Sequence, residues 1–275
     1  MRIPAKKLME GKGQGPVIVS MEPMSFLGGV GPTTGQVMDE KSPLAGRNIS
    51  GHVLSIPGGK GSTVGSYILY GLAKRGRSPA AIIVEKPDTV IATGVVIGKV
   101  PTVYGVPPDI FRDGEWLEVD GDNGTVRLRD VDGHHVVTCF LHNKGKILLL
   151  RRSKDVSTFQ EKWAGVSGYI ARGDIVLERA LREIAEETKI KDPHLVSSGE
   201  LVFAREGHHL YIVHPFLFDV DDRKVKLDWE HTKAEWVTPA MIEKRSTVPK
   251  LVDAFRSAIS GPKVRGADSS VIETE

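Results

Sequence analysis

Residues 168–190, GYIARGDIVLERALREIAEETKI, constrain the fold more than any other stretch of the chain. The second half of the stretch has a helical period. Leu177, Ala180, Leu181 and Ile184 recur at offsets of three and four and give one apolar stripe. Glu183, Glu186 and Glu187 fall at offsets of zero, three and four, so the spacing projects all three from one neighbouring face. Like charges so spaced destabilise a bare helix by about 0.2–0.5 kcal/mol per pair. A divalent cation reverses that sign, because magnesium takes oxygen ligands from a few carboxylates together with substrate phosphates. For the run REIAEE alone, a solvated acidic face is the plain alternative.

The whole stretch resembles the Nudix box, G-x5-E-x7-R-E-U-x-E-E-x-G-U with U apolar. Gly168, Arg182, Glu183, Ile184, Glu186, Glu187 and Ile190 stand at the matching positions. Asp174 replaces the first glutamate of the pattern and Lys189 its last glycine, where glycine would ease a left-handed cap. The resemblance implies an α/β/α sandwich that cleaves a diphosphate linkage. It assigns Mg2+ or Mn2+ to Glu183, Glu186, Glu187 and the carbonyl of Gly168, with Glu186 catalytic and Arg182 paired to Asp174. Glu230 and Glu235 are candidates for a further carboxylate, and Arg151, Arg152 and Arg205 for phosphate contacts. Phe159 and Trp163 read as core residues, with stacking on a base or an isoprenoid chain as the other option.

The remaining sequence suggests two domains, which 275 residues can accommodate. A hydrophobic share of 40% and a charged share of 26% describe a soluble globular class, and a net charge of +2 gives no electrostatic case for nucleic acid. No apolar run reaches the ~18–20 residues of a membrane span, and the N-terminus lacks a signal-peptide core. A cytoplasmic location is the expectation. Cys139 is the only cysteine, so this chain alone supplies neither a disulfide nor an all-cysteine metal cluster. Within VVTCFL it reads as a core filler.

Residues 1–130 form the expected first domain, an α/β domain. GPVIVS (15–20), GHVLSI (51–56) and AAIIVE (80–85) read as strands, and SFLGGVGPTTG (25–35) as a glycine-rich loop. Gly58, Gly59 and Gly61 suggest a flexible loop, with a helix from Thr63 that turns Val64, Tyr67, Ile68 and Leu72 to one face. Strand, loop, helix and strand make a βαβ pattern. Residues 90–103 suggest a small helix and a strand, and 116–128 a hairpin around Gly-Asp-Asn-Gly. The second domain is expected over 134–260. It has a hairpin turning at Asn143-Lys144-Gly145, a strand over 211–220 and a final helix over 240–260, and 261–275 read as a disordered tail.

Ser62 ends the glycine loop at a helix entrance, where free N–H groups can cap, hold an anion or stabilise a side chain that becomes one. Ser is also a favoured N-cap without any chemistry. GGKGST lacks the G-x4-G-K-[ST] spacing of a P-loop. SFLGGVGPTTGQVMDEKSPLAG (25–46), GHVLSIPGGKGSTVGSYILYGL (51–72) and SPAAIIVEKPDTVIATGVVIGKVP (78–101) resemble the swivelling small subunit of the aconitase X group, of the archaeal phosphomevalonate dehydratase type. Ser42 stands where that resemblance leads one to expect His before Pro43.

This second resemblance implies a hydro-lyase that converts (R)-mevalonate 5-phosphate to trans-anhydromevalonate 5-phosphate for isoprenoid synthesis, with Ser62 as proton acceptor. It also implies a heterodimer whose separate large subunit carries an iron–sulfur cluster. A type-1 isopentenyl diphosphate isomerase shares the Nudix fold but uses a catalytic cysteine motif that is not found around Cys139. Three readings stay open. They are a bifunctional chain, a hydrolase of a nucleoside or isoprenoid diphosphate whose first domain only docks a partner, and a dehydratase subunit with a non-catalytic Nudix-like half.

Overall fold

The computed structural model describes residues 1–264. It divides into two compact units, Met1–Asp132 and Gly133–Glu275. Of the disordered tail expected over 261–275, residues 265–275 lie outside the described residues, while Lys263 bridges back to Ser197 and Val264 N donates to Val196 O.

The first unit is built on strands β1 (Arg2–Pro4), β2 (Lys6–Met9), β3 (Lys12–Val19), β4 (Met24–Ser25), β5 (Val53–Ile56), β6 (Gly59–Lys60), β7 (Ala81–Val84), β8 (Thr102–Tyr104), β9 (Trp116–Asp120) and β10 (Thr125–Leu128). Its helices are α1 (Gly65–Lys74) and α2 (Thr89–Gly98). Eight strands form one sheet in the order β1-β10-β9-β3-β5-β7-β8-β2. Only Ala5 separates β1 from β2, yet these strands are the two ends of that order, so the sheet curls round on itself. The β5, β7 and β8 strands run parallel, with α1 and α2 as the crossovers. Both β5 and β7 are buried along their whole length, as the apolar run of β7 and, Ser55 aside, that of β5 require.

The face buried by α1 is only partly the expected one. Val64 and Tyr67 are exposed, and the helix begins at Gly65 rather than Thr63. Leu72 is buried as expected and Ile68 packs half-buried against the core, but the rest of the buried face is Gly65, Ser66 and Leu69. A Cβ at Gly94 of α2 would lie 2.7 Å from Leu69 Cδ1, so the two helices meet through a glycine. A hydropathy period cannot register a contact of that kind.

The second unit comprises β11 (Asp132–Asn143), β12 (Lys146–Arg152), β13 (Trp163–Ala164), β14 (Val166–Tyr169), α3 (Val176–Thr188), β15 (His194–Ser198), β16 (Val202–Glu206), β17 (His209–Asp219), β18 (His231–Val237), α4 (Pro239–Ile242) and α5 (Leu251–Ser260). Lys144 and Gly145 both take positive φ in the β11–β12 turn, which suits the twist of a two-residue hairpin. Strand alternation then sorts the core. Phe140, Ile147 and Leu149 pack with Ala254 and Phe255 of α5, while Cys139, Leu141, Leu148 and Leu150 pack with Ala180 and Ile184 of α3. The result is a sheet between two helical layers. The helix expected over 240–260 is two pieces, because Pro249 disfavours helix for the residue before it and Lys250 is left-handed.

Two histidines on β11 and β17 give the fold a pH signature. His135 Nδ1 and His214 Nε2 lie 3.0 Å apart. Burial, then the neighbouring ring, holds His214 down at about 4 from its ordinary 6.5. The unfolded chain therefore binds the proton first, and stability falls as pH drops from 6.5 towards 4. Melting curves across that window should show His214→Gln losing less stability than the native chain.

Candidate active sites

In the first unit, the loop entering α1 is clamped rather than flexible. Met24–Ser25 and Gly59–Lys60 pair in parallel. Gly59 N donates to Asp88 Oδ2 at 2.5 Å, while Asp88 Oδ1 accepts from Val90 N and Ile91 N at the start of α2. A Cβ at Gly59 would come within 3.0 Å of both Asp88 oxygens, which is why this position needs glycine. Asp88 escaped the sequence reading, although an Asp just before an apolar helical run is a recognisable N-cap. Asp88→Ala should lower stability by about 1–2 kcal/mol in a denaturant melt and loosen the glycine loop.

Ser62 is exposed at the end of that loop, after Gly61 at φ +95°. Its Oγ accepts from Val64 N at 3.3 Å, and its carbonyl accepts from Gly65 N at 2.9 Å. A hydroxyl that accepts a backbone N–H at a helix entrance sits where an alkoxide is favoured. The nearby recess lined by Ser25, Ser42 and Lys60 has a volume of about 10 Å³, room for roughly one water. A phosphorylated substrate does not fit into it.

In the second unit, α3 follows β14, which pairs with β11 at Val137 and Gly168. The buried face of α3 is Ala180, Glu183, Ile184, Glu187 and Thr188. This corrects the expected stripe. Leu177 and Leu181 are 36% and 37% exposed, whereas two glutamates are interior. Glu183 pairs with Arg179 one turn earlier. A Cβ at Gly168 would run into the Glu183 carboxylate, so glycine lets that carboxylate lie against β14.

Glu187 is 3% exposed. Its Oε1 accepts from Ser167 N at 3.4 Å, and its Oε2 has no hydrogen-bond partner, with His231 Nε2 3.7 Å away. Burial, then Glu183, Asp228 and Glu230, pushes Glu187 well above the ordinary carboxylate range. Burial also raises Glu183, against the lowering pull of Arg179. Glu186 is exposed and lines a cavity of about 330 Å³ together with Glu183, Gly168 and Glu230.

Two families match the chain. The aconitase X swivel domain matches residues 2–128, and the NUDIX domain matches residues 133–256. The phosphomevalonate dehydratase small subunit of Methanothermobacter thermautotrophicus is 49% identical over 131 residues, 46% of this chain and 100% of that protein. The chain belongs to the aconitase X swivel-domain family and carries a NUDIX domain in its second half. The structure of Thermococcus kodakaraensis aconitase X, in its holo-form, is 45% identical, covers 46% of this chain and 98% of that one, and has a TM-score of 0.46. The MutT protein structure from Methanosarcina mazei is 27% identical, with 46% and 93% covered and a TM-score of 0.40. The protein is thus an enzyme chain with a dehydratase-associated part and a Nudix hydrolase part.

The expected pairing of Arg182 with Asp174 in the Nudix unit is absent. Asp174 Oδ2 accepts from Ala171 N at 2.9 Å and closes its own loop, and Arg182 is exposed. The shorter acid reaches its local backbone, and Arg179 is the arginine that meets a box glutamate. Lys189 takes the left-handed cap itself, at φ 59°, with its ammonium on the Glu186 carbonyl at 2.9 Å. Glu230 lines the cavity. Glu235 does not, being tied to Lys233 and Arg245 at 2.5 Å each. Arg152 also lines the cavity, while Arg151 pairs with Glu161 at 3.4 Å and Arg205 Nε donates to Gly207 O at 3.3 Å. Trp163 is a core residue beneath Arg245, and Phe159 stands at the cavity wall against Tyr211. Cys139 is fully buried.

A divalent cation fits this set. A buried carboxylate oxygen without a partner, beside a second raised carboxylate, is costly unless a cation compensates it. Among the described residues no group of three or more His, Cys, Asp or Glu is already gathered into a cage. Magnesium does not need one, because it keeps waters and takes substrate phosphates with one or two carboxylates. Sequence reading missed Arg179, Asp228 and His231, which belong to the surroundings of Glu183 and Glu187; Arg179 stands one helical turn before Glu183, a spacing that could have found it, whereas Asp228 and His231 lie far along the chain. His231 Nδ1 lies 3.1 Å from Asp228 Oδ1. No helix among the described residues is long and apolar enough to cross a membrane.

Proposed function

We propose that this chain is the small subunit of a hydro-lyase that dehydrates (R)-mevalonate 5-phosphate to trans-anhydromevalonate 5-phosphate, fused to a metal-dependent diphosphate hydrolase. For the swivel unit, the full-length 49% match to a phosphomevalonate dehydratase small subunit carries the reading. Ser62 accepts the proton from the carbon next to the carboxylate, and the Val64 N–H stabilises the oxygen that releases its own proton. Serine is a poor base unless its anion is held in this way. A separate large subunit bears the iron–sulfur cluster, which supplies the Lewis acid for departure of the hydroxyl. The single Cys139 is buried in the Nudix core and cannot serve that cluster.

For the Nudix unit, the partnerless Glu187 oxygen carries the reading. Glu183, Glu186, Glu187 and the Gly168 carbonyl are the residues that would hold Mg2+ or Mn2+. The bound ion polarises phosphoryl oxygens and lowers the pKa of water. Glu186, exposed at the cavity, accepts the proton of the attacking water, and Arg152 and Arg179 face the diphosphate. A cytoplasmic location goes with this reading.

The test is to purify the chain together with a cluster-loaded large subunit and add mevalonate 5-phosphate, following loss of one water by mass spectrometry. The same preparation is then given diphosphates with and without magnesium. Dehydration only in the complex, and phosphate release only with the cation, is the expected pair. An intact complex that dehydrates nothing removes the first half of the proposal, and cation-independent or absent phosphate release removes the second.

A further inference from the structure

The lining of the Nudix cavity is of two chemical kinds. Glu183, Glu186 and Glu230 make one of them, with Arg152 and Arg179. The other is a wall of Val136, Ala204, Val213, Leu251 and Ala254 from β11, β16, β17 and α5. All but Val136, which packs against its edge, belong to the unit's own apolar core, and Ala204 and Ala254 are 4% and 2% exposed. Two alanines among larger neighbours leave the space open.

Polar side chains along that wall are already engaged. Thr138 Oγ1 and Ser167 Oγ lie 3.2 Å apart, and the Tyr211 hydroxyl faces that of Tyr169. A heteroaromatic base carries several ring acceptors and amino donors. Packed against this wall, it would leave them without partners, at roughly tenfold in affinity for each. A branched hydrocarbon carries none and gains with every apolar area it removes from water. At about 330 Å³ the cavity is at the small end of ligand pockets, which suits a short chain. Trp229, 67% exposed, lines the cavity next to Glu230 and adds apolar surface there.

We infer that the Nudix unit acts on the diphosphate ester of a short branched alkenyl alcohol rather than on a nucleotide. This rests on the diphosphate hydrolase reading above. Water forms a new P–O bond at the outer phosphorus as the bridging P–O bond breaks. One proton passes to bulk water, and the products are the alkenyl monophosphate and inorganic phosphate.

The experiment compares kcat/KM of the full chain with magnesium on dimethylallyl and geranyl diphosphates, ADP, ADP-ribose and dGTP. The alkenyl esters should exceed the nucleotides by about a hundredfold or more. Equal or faster hydrolysis of a nucleotide overturns the inference. Ala204→Leu, checked for folding by its melting curve, should raise KM for geranyl diphosphate about tenfold more than KM for methyl diphosphate. Should that variant fail to fold, Val213→Ala is used and should favour geranyl over dimethylallyl diphosphate. An equal effect of the folded variant on all substrates counts against the inference. If no diphosphate is hydrolysed, the hydrolase reading itself has failed. Calorimetric titration with geranyl S-thiolodiphosphate and with α,β-methylene-ADP then decides separately. Preferential binding of the former upholds the chemical class, and preference for the latter or no binding overturns it.

Discussion

Glu187→Gln should abolish magnesium-dependent diphosphate hydrolysis, by about a thousandfold or more, while raising the melting temperature of the metal-free protein. Both effects come from one carboxylate. Glu187 is buried beside Glu183, with an oxygen that no donor meets. Without a cation that charge is an uncompensated cost, and neutralising it should stabilise the fold by about 1–3 kcal/mol. With a cation the same charge is the anchor, and glutamine supplies an oxygen of similar shape but no charge to hold the ion.

The pH dependence has a definite sign. The folded Glu187 carboxyl titrates above its ordinary 4.5, so the native state binds the proton more tightly than the unfolded chain. Its contribution to stability is fully present below 4.5 and is lost as pH rises through the raised folded value. Metal-free protein should therefore lose stability on that rise, and magnesium or manganese with a diphosphate should restore it near neutral pH. Glu187→Gln should show neither the loss nor the restoration. A melting temperature that ignores both pH and cation in the native chain would remove the metal from the account of this site.

Much of this arrangement is legible in the residues themselves. The β11–β12 hairpin follows from two apolar runs joined by a Lys-Gly turn, and the Nudix helix follows from its period. What the period could not give is the face. Hydropathy assigns leucine to the core and glutamate to the surface, so Leu177 and Leu181 were expected inside, and spacing gathered Glu183, Glu186 and Glu187 on a neighbouring face without burying any of them. A site that must gather charge around a ligand inverts that rule. The α1 face was misjudged for a different reason. Its contacts run through Gly65 and Gly94, and a missing side chain has no hydropathy to read. The break before α5 did have a signal, Pro249, which the apolar pattern on either side obscured. The Arg179–Glu183 pair stands at the i,i+4 spacing of α3, but the approach of His231 and Asp228 to Glu187 depends on how the segment entering β18 folds back, and spacing leaves that undecided.

Ser62→Ala should eliminate dehydration by the assembled complex, by about a thousandfold or more, and leave its assembly and its diphosphate hydrolysis intact. The local cost is small. Ser62 is exposed, and the substitution removes one acceptor from Val64 N at 3.3 Å, which water can replace. The loop itself is held by Asp88 and by the pairing of Gly59–Lys60 with Met24–Ser25, none of which involves the hydroxyl. A serine that merely capped a turn would be replaced with little change in rate. A serine that must carry a proton cannot be, because alanine offers no atom to receive it. Ser62→Cys adds a second discriminator, since a thiolate forms at lower pH than an alkoxide and should return part of the rate with a shifted pH profile. The hydrolase should not notice either change, because its carboxylates and its cavity come wholly from the Nudix unit, with a core of its own. Full dehydration by a folded Ser62→Ala complex would leave the swivel unit as a docking module and move the proton acceptor to the large subunit.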